Sequence, residues 1–318
     1  MIHFLAKRLL WFFLTLWIVF TVSFFLMRAV PGGPFDGERK LEPNVKQAIE
    51  RRYRVNEPLW KQYVVHLGMA AGLLGEDGQF RIGFPNLGPS YRIRDFSVNQ
   101  IIAQGLPVSA SLGILALAFG LSVGLLAGVI AALWRETWVD TGVMLLATTG
   151  MAVPNFWLAG VCIILFVFMI PLFPAAGWGS LSNLILPAFC LGAPYAAYIA
   201  RLTRTGMLEV LHQDYIRTAR AKGLRGRQVI LRHALKGSLL PVVSFLGPAA
   251  AGILTGSLVI EKVFHLSGIG SYFVEAALQR DYPLAMGVVL VYTVVLYIMN
   301  VLVDLSYAML DPRIKLES

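Results

Sequence analysis

Apolar positions in this chain come as long unbroken runs. They do not alternate as in half-buried strands, and they do not form the one-sided stripe of a soluble helix. No charge occurs from Leu9 to Met27, from Phe96 to Trp134, or from Thr141 to Ala200. About 20 helical residues, rising about 1.5 Å each, cross about 30 Å of hydrocarbon. The third run is too long for one crossing, and the Pro- and Gly-rich stretch Pro171–Gly179 divides it. The pattern predicts an all-α integral membrane protein, a single transmembrane domain over 1–318. Its six spans fall at about 9–30, 106–133, 141–170, 184–200, 239–260 and 284–305.

Between the spans lie two long polar stretches. Residues 31–100 follow the breaker Pro31-Gly32-Gly33-Pro34 and carry mixed charge, with a short helix at Glu42–Tyr53 and a turn at Gly75-Glu76-Asp77-Gly78. Residues 96–105 read as a separate lead-in helix at the interface. Residues 201–238 form the other stretch. Residues 261–283 are short, amphipathic and interrupted at Ser267-Gly268-Ile269-Gly270. Gly120, Gly124 and Gly128 sit at helical spacing, where they admit a neighbouring backbone, most simply within this subunit.

Composition sharpens the class. Of 318 residues, 57% are apolar and 14% charged, against about 25% charged in soluble domains. A soluble fold is excluded on that ground. The run after Lys7 and Arg8 is too long for a signal-peptide core, so it is the first span. Cys162 and Cys190 each lie in an apolar run and read as small buried hydrophobes without a partner for a disulfide or a metal site.

Charge gives the orientation. Nine Lys or Arg between Arg201 and Lys236 face only Glu209 and Asp214, a net +7 of the chain's +9. Placing this block and Lys7-Arg8 inside satisfies the positive-inside bias and puts 31–100, 171–183 and 261–283 outside. Both termini are then cytoplasmic. A nucleic-acid surface would need this charge on a soluble face, so no nucleic-acid partner is expected.

Within the block, Leu208, Leu211, Tyr215 and Ala219 recur at three- and four-residue spacing, predicting one amphipathic helix over about 206–222. Gly223 and Gly226 end it, and a second piece, Gln228–Leu240, leads to Pro241 and the fifth span. A helix lying on the membrane surface would explain the charges. The small residues Ala219, Ala221 and Gly223 beside Tyr215-Ile216-Arg217-Thr218 suit docking into another protein's groove.

The run Asp214-Tyr-Ile-Arg-Thr-Ala-Arg-Ala-Lys-Gly-Leu224, followed by Leu231-Arg-His-Ala-Leu-Lys236 and Leu239-Leu-Pro241, resembles the cytoplasmic EAA loop of bacterial ABC importer permeases in its peptide-transporter form. Against the general EAA pattern, Arg217 and Thr218 replace the Glu and first Ala, while Ala219 and Gly223 match. The later Ile-x-Leu-Pro falls on His233, Ala234, Leu235 and Lys236. The likeness extends over nearly the whole chain, through Lys7-Arg8, Arg28-Ala-Val-Pro-Gly32, Asn56-Glu-Pro-Leu-Trp60, Val153-Pro-Asn-Phe-Trp157, Val259-Ile-Glu261, Arg280-Asp-Tyr-Pro283 and Leu310-Asp-Pro-Arg313. Leu87-Gly-Pro-Ser90 and Gly247-Pro-x4-Gly252-Ile-Leu-Thr-Gly-Ser257 look most like the B-type permeases of oligopeptide importers. Ser267 departs from a common proline.

This resemblance implies a type I importer permease fold in the bacterial inner membrane, forming half of a translocation pathway. The ATPase-coupling residues it implies are Asp214, Tyr215, Arg217, Thr218, Ala219, Arg220, Ala221, Lys222, Gly223 and Leu224. Implied partners are a second, homologous permease, two ATP-binding cassette subunits, an extracytoplasmic peptide-binding protein touching 31–100 and 261–283, and membrane lipid. The solute is an oligopeptide, or in the same branch a dipeptide, glutathione or a nickel chelate. No cofactor is expected on this chain, with ATP and Mg on the partner subunits. Gly83-x4-Gly88-Pro89-Ser90 imitates a phosphate loop, but Pro89 stands where the lysine belongs.

Two other classes are weaker. An ion-coupled secondary transporter would place ionisable sites at mid-membrane, and the span centres carry no charge. An intramembrane enzyme would need paired acids, a His cluster or a Ser–His arrangement at depth. Asp304 and Asn300 lie near the cytoplasmic end of the last span, where snorkelling or a structural hydrogen bond explains them; His212 and His233 read as solvated or interface residues.

Overall fold

The computed structural model describes residues 2–30, 56–75, 77–93 and 95–310, with the side chains of 2–6, 255–256 and 306–310 left aside. The expected helix at Glu42–Tyr53 lies outside the described residues. Among the described residues, eleven helical elements follow in order. They are α1 (Ile2–Ala29), α2 (Leu59–Ala70), α3 (Val98–Leu133), α4 (Trp138–Ala152), α5 (Asn155–Ile163, continued as a π-helix over Ile164–Met169) and α6 (Leu181–Leu211). After these come α7 (Asp214–Ala221), α8 (Gly226–Ser238, π-wound over Val229–Ala234), α9 (Leu240–Val263), α10 (Ile269–Gln279) and α11 (Tyr282–Leu310). Extended pairing among the described residues is limited to the isolated bridges Leu74–Phe80 and Pro89–Ser97.

Among the described residues, four helices (α1, α3, α6 and α11) are long and apolar enough to cross a membrane alone. The number is six if α4–α5 and α8–α9 each count as one bent span. Between α4 and α5 the axis turns by 103°. The cause is local. Pro154 disfavours helix at the residue before it, and Val153 is extended at φ −80°, ψ 123°. The interval 141–170 is therefore two helices at a steep angle. The lead-in at 96–105 is not separate either: α3 runs unbroken from Val98 through Pro107, and residues 201–211 continue α6.

Contacts divide the chain into two compact units. The first comprises residues 1–108 and 267–295. Its core is Phe20, Phe24 and Met286, with Tyr63 and Leu67 of α2 packed against them. Asp281, almost fully buried, accepts hydrogen bonds from the Ser90 hydroxyl, from the backbone N–H of Tyr91 (3.1 Å) and Arg92 (3.3 Å), and from Leu284 N–H (3.3 Å) in the first turn of α11. One carboxylate thus ties the 88–93 loop to a helix start, where the dipole favours negative charge.

The second unit comprises residues 109–266 and 296–318. Its centre is the packing of α3 on α6. A Cβ placed on Gly128 would lie 2.5 Å from Ala200 O, one on Gly124 2.7 Å from Ala196 O, and one on Gly192 2.5 Å from Ala116 O. The glycine series therefore serves close backbone approach within this subunit. Ser109 donates to the fully buried Glu261 at 2.7 Å. Near the far end of α11, Asn300 Oδ1 would stand 3.4 Å from a Cβ on Gly247 of α9, which gives Asn300 a packing role. The two cysteines, each read as solitary, are brought near one another by α5 against α6, both buried and free.

Candidate functional site

The basic block resolves into three pieces rather than one amphipathic helix followed by another. The stripe expected over 206–222 is divided at His212-Gln213, so Leu208 and Leu211 end α6 while Tyr215 and Ala219 belong to α7. Small buried residues explain the extension of α6 to Leu211. Thr203, Gly206, Met207 and Val210 are buried, and Gly206 lets Ser238 O approach to 2.9 Å of where a Cβ would be. The turn at 212 is held by side chains. His212 Nδ1–H donates to Leu208 O (2.6 Å), which leaves Nε2 to accept from Arg135 (3.1 Å).

Helix α7 is two turns long, too short to be stable alone. It is held by packing. Ile216, fully buried, and Ala219 enter a cluster with Met207 and Val210 of α6, Ala132 of α3, and Val229 and Ala234 of α8. Its ends are finished locally. Asp214 sits in the first turn and Arg220 in the last, the dipole-favoured arrangement. At the C-terminus Gly223 N–H donates to Arg220 O (2.9 Å) and Leu224 N–H to Ala219 O (3.4 Å), a Schellman closure. That closure puts Gly223 at φ +77°, in the left-handed region that a side chain disfavours.

What remains outward is Asp214, Tyr215, Arg217, Thr218, Arg220, Ala221, Lys222, Gly223 and Leu224. Nothing lies within 4 Å of a Cβ on Gly223. One residue differs from the sequence reading. Ala219 is not part of an outward ridge of small residues, because it faces the chain's own core. The hydrogen-bonded pair Asp214–Arg217, at 3.4 Å, is fully solvated and contributes little.

A feature not drawn from the sequence links this turn to the spans. Arg204 of α6 forks onto Asp140 of α4, with Nε to Oδ1 at 2.5 Å and Nη2 to Oδ2 at 2.6 Å. Asp140 is almost fully buried and also accepts from Glu136 N–H (3.0 Å). Bidentate geometry holds two helices in one register. The available signal was Asp140, the last acid before sixty uncharged residues, with Arg201 and Arg204 opening the next charged stretch.

No group of three or more His, Cys, Asp or Glu among the described residues is arranged to hold a metal. What the surface offers is a cationic, two-turn helix in the loop between two spans, packed on the end of α6.

Comparison with known proteins decides the class. Residues 124–316 match the family of binding-protein-dependent transport system inner membrane components, and residues 1–113 match the N-terminal region of such membrane components. The chain belongs to this family. It is 45% identical over 317 residues to the oligopeptide transport system permease protein OppB of Escherichia coli strain K12, covering 99% of this chain and 100% of that protein. It is 44% identical to the dipeptide transport system permease protein DppB of Bacillus subtilis strain 168, with 99% of each chain covered. Among solved structures, a chain of the MetNI methionine ABC transporter in an inward-facing conformation superposes with a TM-score of 0.55 at 16% identity. That match covers 67% of this chain and 97% of the other. An amino acid ABC transporter matches with a TM-score of 0.50 at 14% identity, covering 65% and 93%. These two share the fold, that of type I importer permeases. The protein is thus a multi-pass inner-membrane permease subunit.

Proposed function

We propose that this permease forms half of the translocation pathway of an ATP-driven importer of oligopeptides. A second, homologous permease forms the other half, two ATP-binding cassette subunits supply energy, and an extracytoplasmic binding protein delivers the peptide. The observation that carries the mechanism is the division of α7 into an anchored side, Ile216 and Ala219, and an outward side, Tyr215, Arg217, Thr218, Arg220 and Ala221. A helix built this way passes force from whatever seats its outer face into the core beneath.

In this reading ATP and Mg act on the partner subunits. Their closure moves α7, α6 follows as a rigid lever, and the Arg204–Asp140 fork carries the movement to α4, which turns steeply into α5. Switching between discrete packings is the expected mode, because packed interfaces are bistable. The peptide assignment rests on the relatives, whose names include both oligopeptide and dipeptide permeases.

The test is uptake of a labelled pentapeptide and a labelled dipeptide in cells lacking this chain. Loss of pentapeptide uptake alone, restored by the intact gene, is expected. Loss of dipeptide uptake alone would reassign the solute size. Unchanged uptake of both would overturn the peptide reading and make glutathione and nickel chelates the solutes to assay.

A further inference from the structure

The extracytoplasmic stretch after α1 reads from sequence as polar, but its described part exposes large apolar side chains. Trp60 is 69% exposed, Phe80 73%, Ile82 76% and Phe84 87%, with Val64 at 51%. These residues lie on two small elements of the first unit. One is α2. The other is a hairpin closed by Gly75 N–H to Gln79 O (3.0 Å), Arg81 N–H to Leu73 O (3.0 Å) and Gly83 N–H to Gly72 O (2.9 Å).

On α2, Trp60 and Val64 are four residues apart and so share a face. Buried Gln62, Val65 and Met69 occupy the opposite one. In the extended arm of the hairpin, Phe80, Ile82 and Phe84 alternate with Gln79, Arg81 and Gly83, so the apolar three fall on one side.

Depth is given by the attachment to α1. The Tyr63 hydroxyl meets Thr21 Oγ1 at 2.8 Å, and its ring packs on Phe20 and Phe24 with centroids 5.8 and 5.3 Å away. Thr21 is eight residues before the end of α1 at Ala29, about 12 Å down the helix axis. The hydrocarbon layer is about 30 Å thick. Helix α2 therefore lies beside the outer part of the first span, not above it. The hairpin also approaches the spans: Phe84 and Pro85 help line an apolar groove of about 1030 Å³ together with Phe13, Trp17 and Leu106, which are span residues.

We infer that residues 59–75 and 77–84 form a wedge seated in the outer leaflet, with Trp60, Val64, Phe80, Ile82 and Phe84 against phospholipid. Helix α2 and the hairpin bonds from Gly75, Arg81 and Gly83 satisfy part of the segment's backbone polar groups internally, and the polar headgroup level supplies partners for the rest. Trp60 at the outer end of a span matches the Trp and Tyr girdle found at membrane interfaces. The inference is independent of which solute the importer carries.

The test places single cysteines by Trp60→Cys, Phe80→Cys, Ile82→Cys, Phe84→Cys and, as the polar-side control, Arg81→Cys. The background is Cys162→Ala, Cys190→Ala, first shown to retain uptake. Each is labelled with an environment-sensitive fluorophore. The full chain, with its co-purifying subunits, is reconstituted in phospholipid nanodiscs carrying nitroxide at the headgroup or high on the acyl chain. Blue-shifted emission and quenching about threefold stronger than at Arg81→Cys are expected, unchanged by adding the binding protein. Aqueous emission without lipid quenching overturns the inference. So does quenching abolished by the binding protein, which would make this face its dock. Apolar emission without lipid quenching also overturns it, giving the face to the second permease. A photoactivatable phospholipid applied to the unsubstituted importer reads the same surface without mutation. Adducts mapping to 59–84 are expected, and adducts confined to the spans refute it.

Discussion

Gly223 shows how one residue sets the local geometry of the surface proposed for coupling. Its φ of +77° closes α7, and no atom stands within 4 Å of an added Cβ, so substitution is limited by backbone strain and not by space. Gly223→Ala should cost about 1 kcal/mol at the helix end and leave membrane insertion unchanged. Gly223→Trp adds bulk on the outward surface and should uncouple transport while the protein still inserts; normal peptide uptake by that variant would defeat the coupling assignment. Ile216 acts from the other side. Ile216→Ala removes the buried anchor, at a cost of about 2–5 kcal/mol, and should expose α7 to limited proteolysis in membrane vesicles. An unchanged cleavage pattern would show that the cluster does not hold the helix. Asp140→Ala leaves a partly exposed Arg204 without its fork. A loss of about 2–3 kcal/mol is expected, below the range for fully buried pairs because the Arg204 side chain is 26% exposed. The thermal midpoint of the purified importer reads it, and Asp140→Glu should recover part of the loss.

At the scale of elements, the arrangement of α7 makes a pattern prediction. Cysteines introduced by Thr218→Cys or Ala221→Cys should cross-link to a nucleotide-binding subunit, and one introduced by Ala219→Cys should not, because Ala219 is buried in the chain's own cluster. Cross-linking at all three equally would mean that the helix is not seated as described. Helix packing in the second unit depends on absent side chains. Gly128→Leu places carbon where Ala200 O and Thr203 stand within 2.6 Å, so the assembled permease should be lost from the membrane fraction. Element boundaries were the least legible part of the sequence. Residues 201–211 carry two arginines and a glutamate, which reads as the start of the polar stretch after the fourth span, yet they continue α6 because Thr203, Gly206, Met207 and Val210 find burial there.

For the whole molecule, the prediction is that uptake depends on ATP hydrolysis elsewhere in the complex. Orthovanadate should abolish peptide uptake, and a protonophore applied at constant ATP should leave it intact; the reverse result would favour ion-coupled transport. The spans were legible as composition, since long uncharged runs admit few alternatives in lipid. How they bend and pair was not. The α4–α5 turn of 103° was foreshadowed by Pro154, whose steric effect on Val153 is local, but its size depends on what the two helices pack against.

By itself the sequence determined the membrane class, the clustering of positive charge in one loop, the family resemblance and most of the residues that α7 and its turn expose, because charge, apolar length and glycine preference act over short stretches of chain. Tertiary structure decided the rest. It split the predicted amphipathic helix into α6 and α7, turned Ala219 inward, and joined Asp140 to Arg204 across 64 positions. It also brought Cys162 near Cys190 and set α2 beside the C-terminal part of α1. Each of these depends on contacts between residues far apart in sequence. No local periodicity encodes which face of a helix a distant segment will cover, so only the packed fold could assign them.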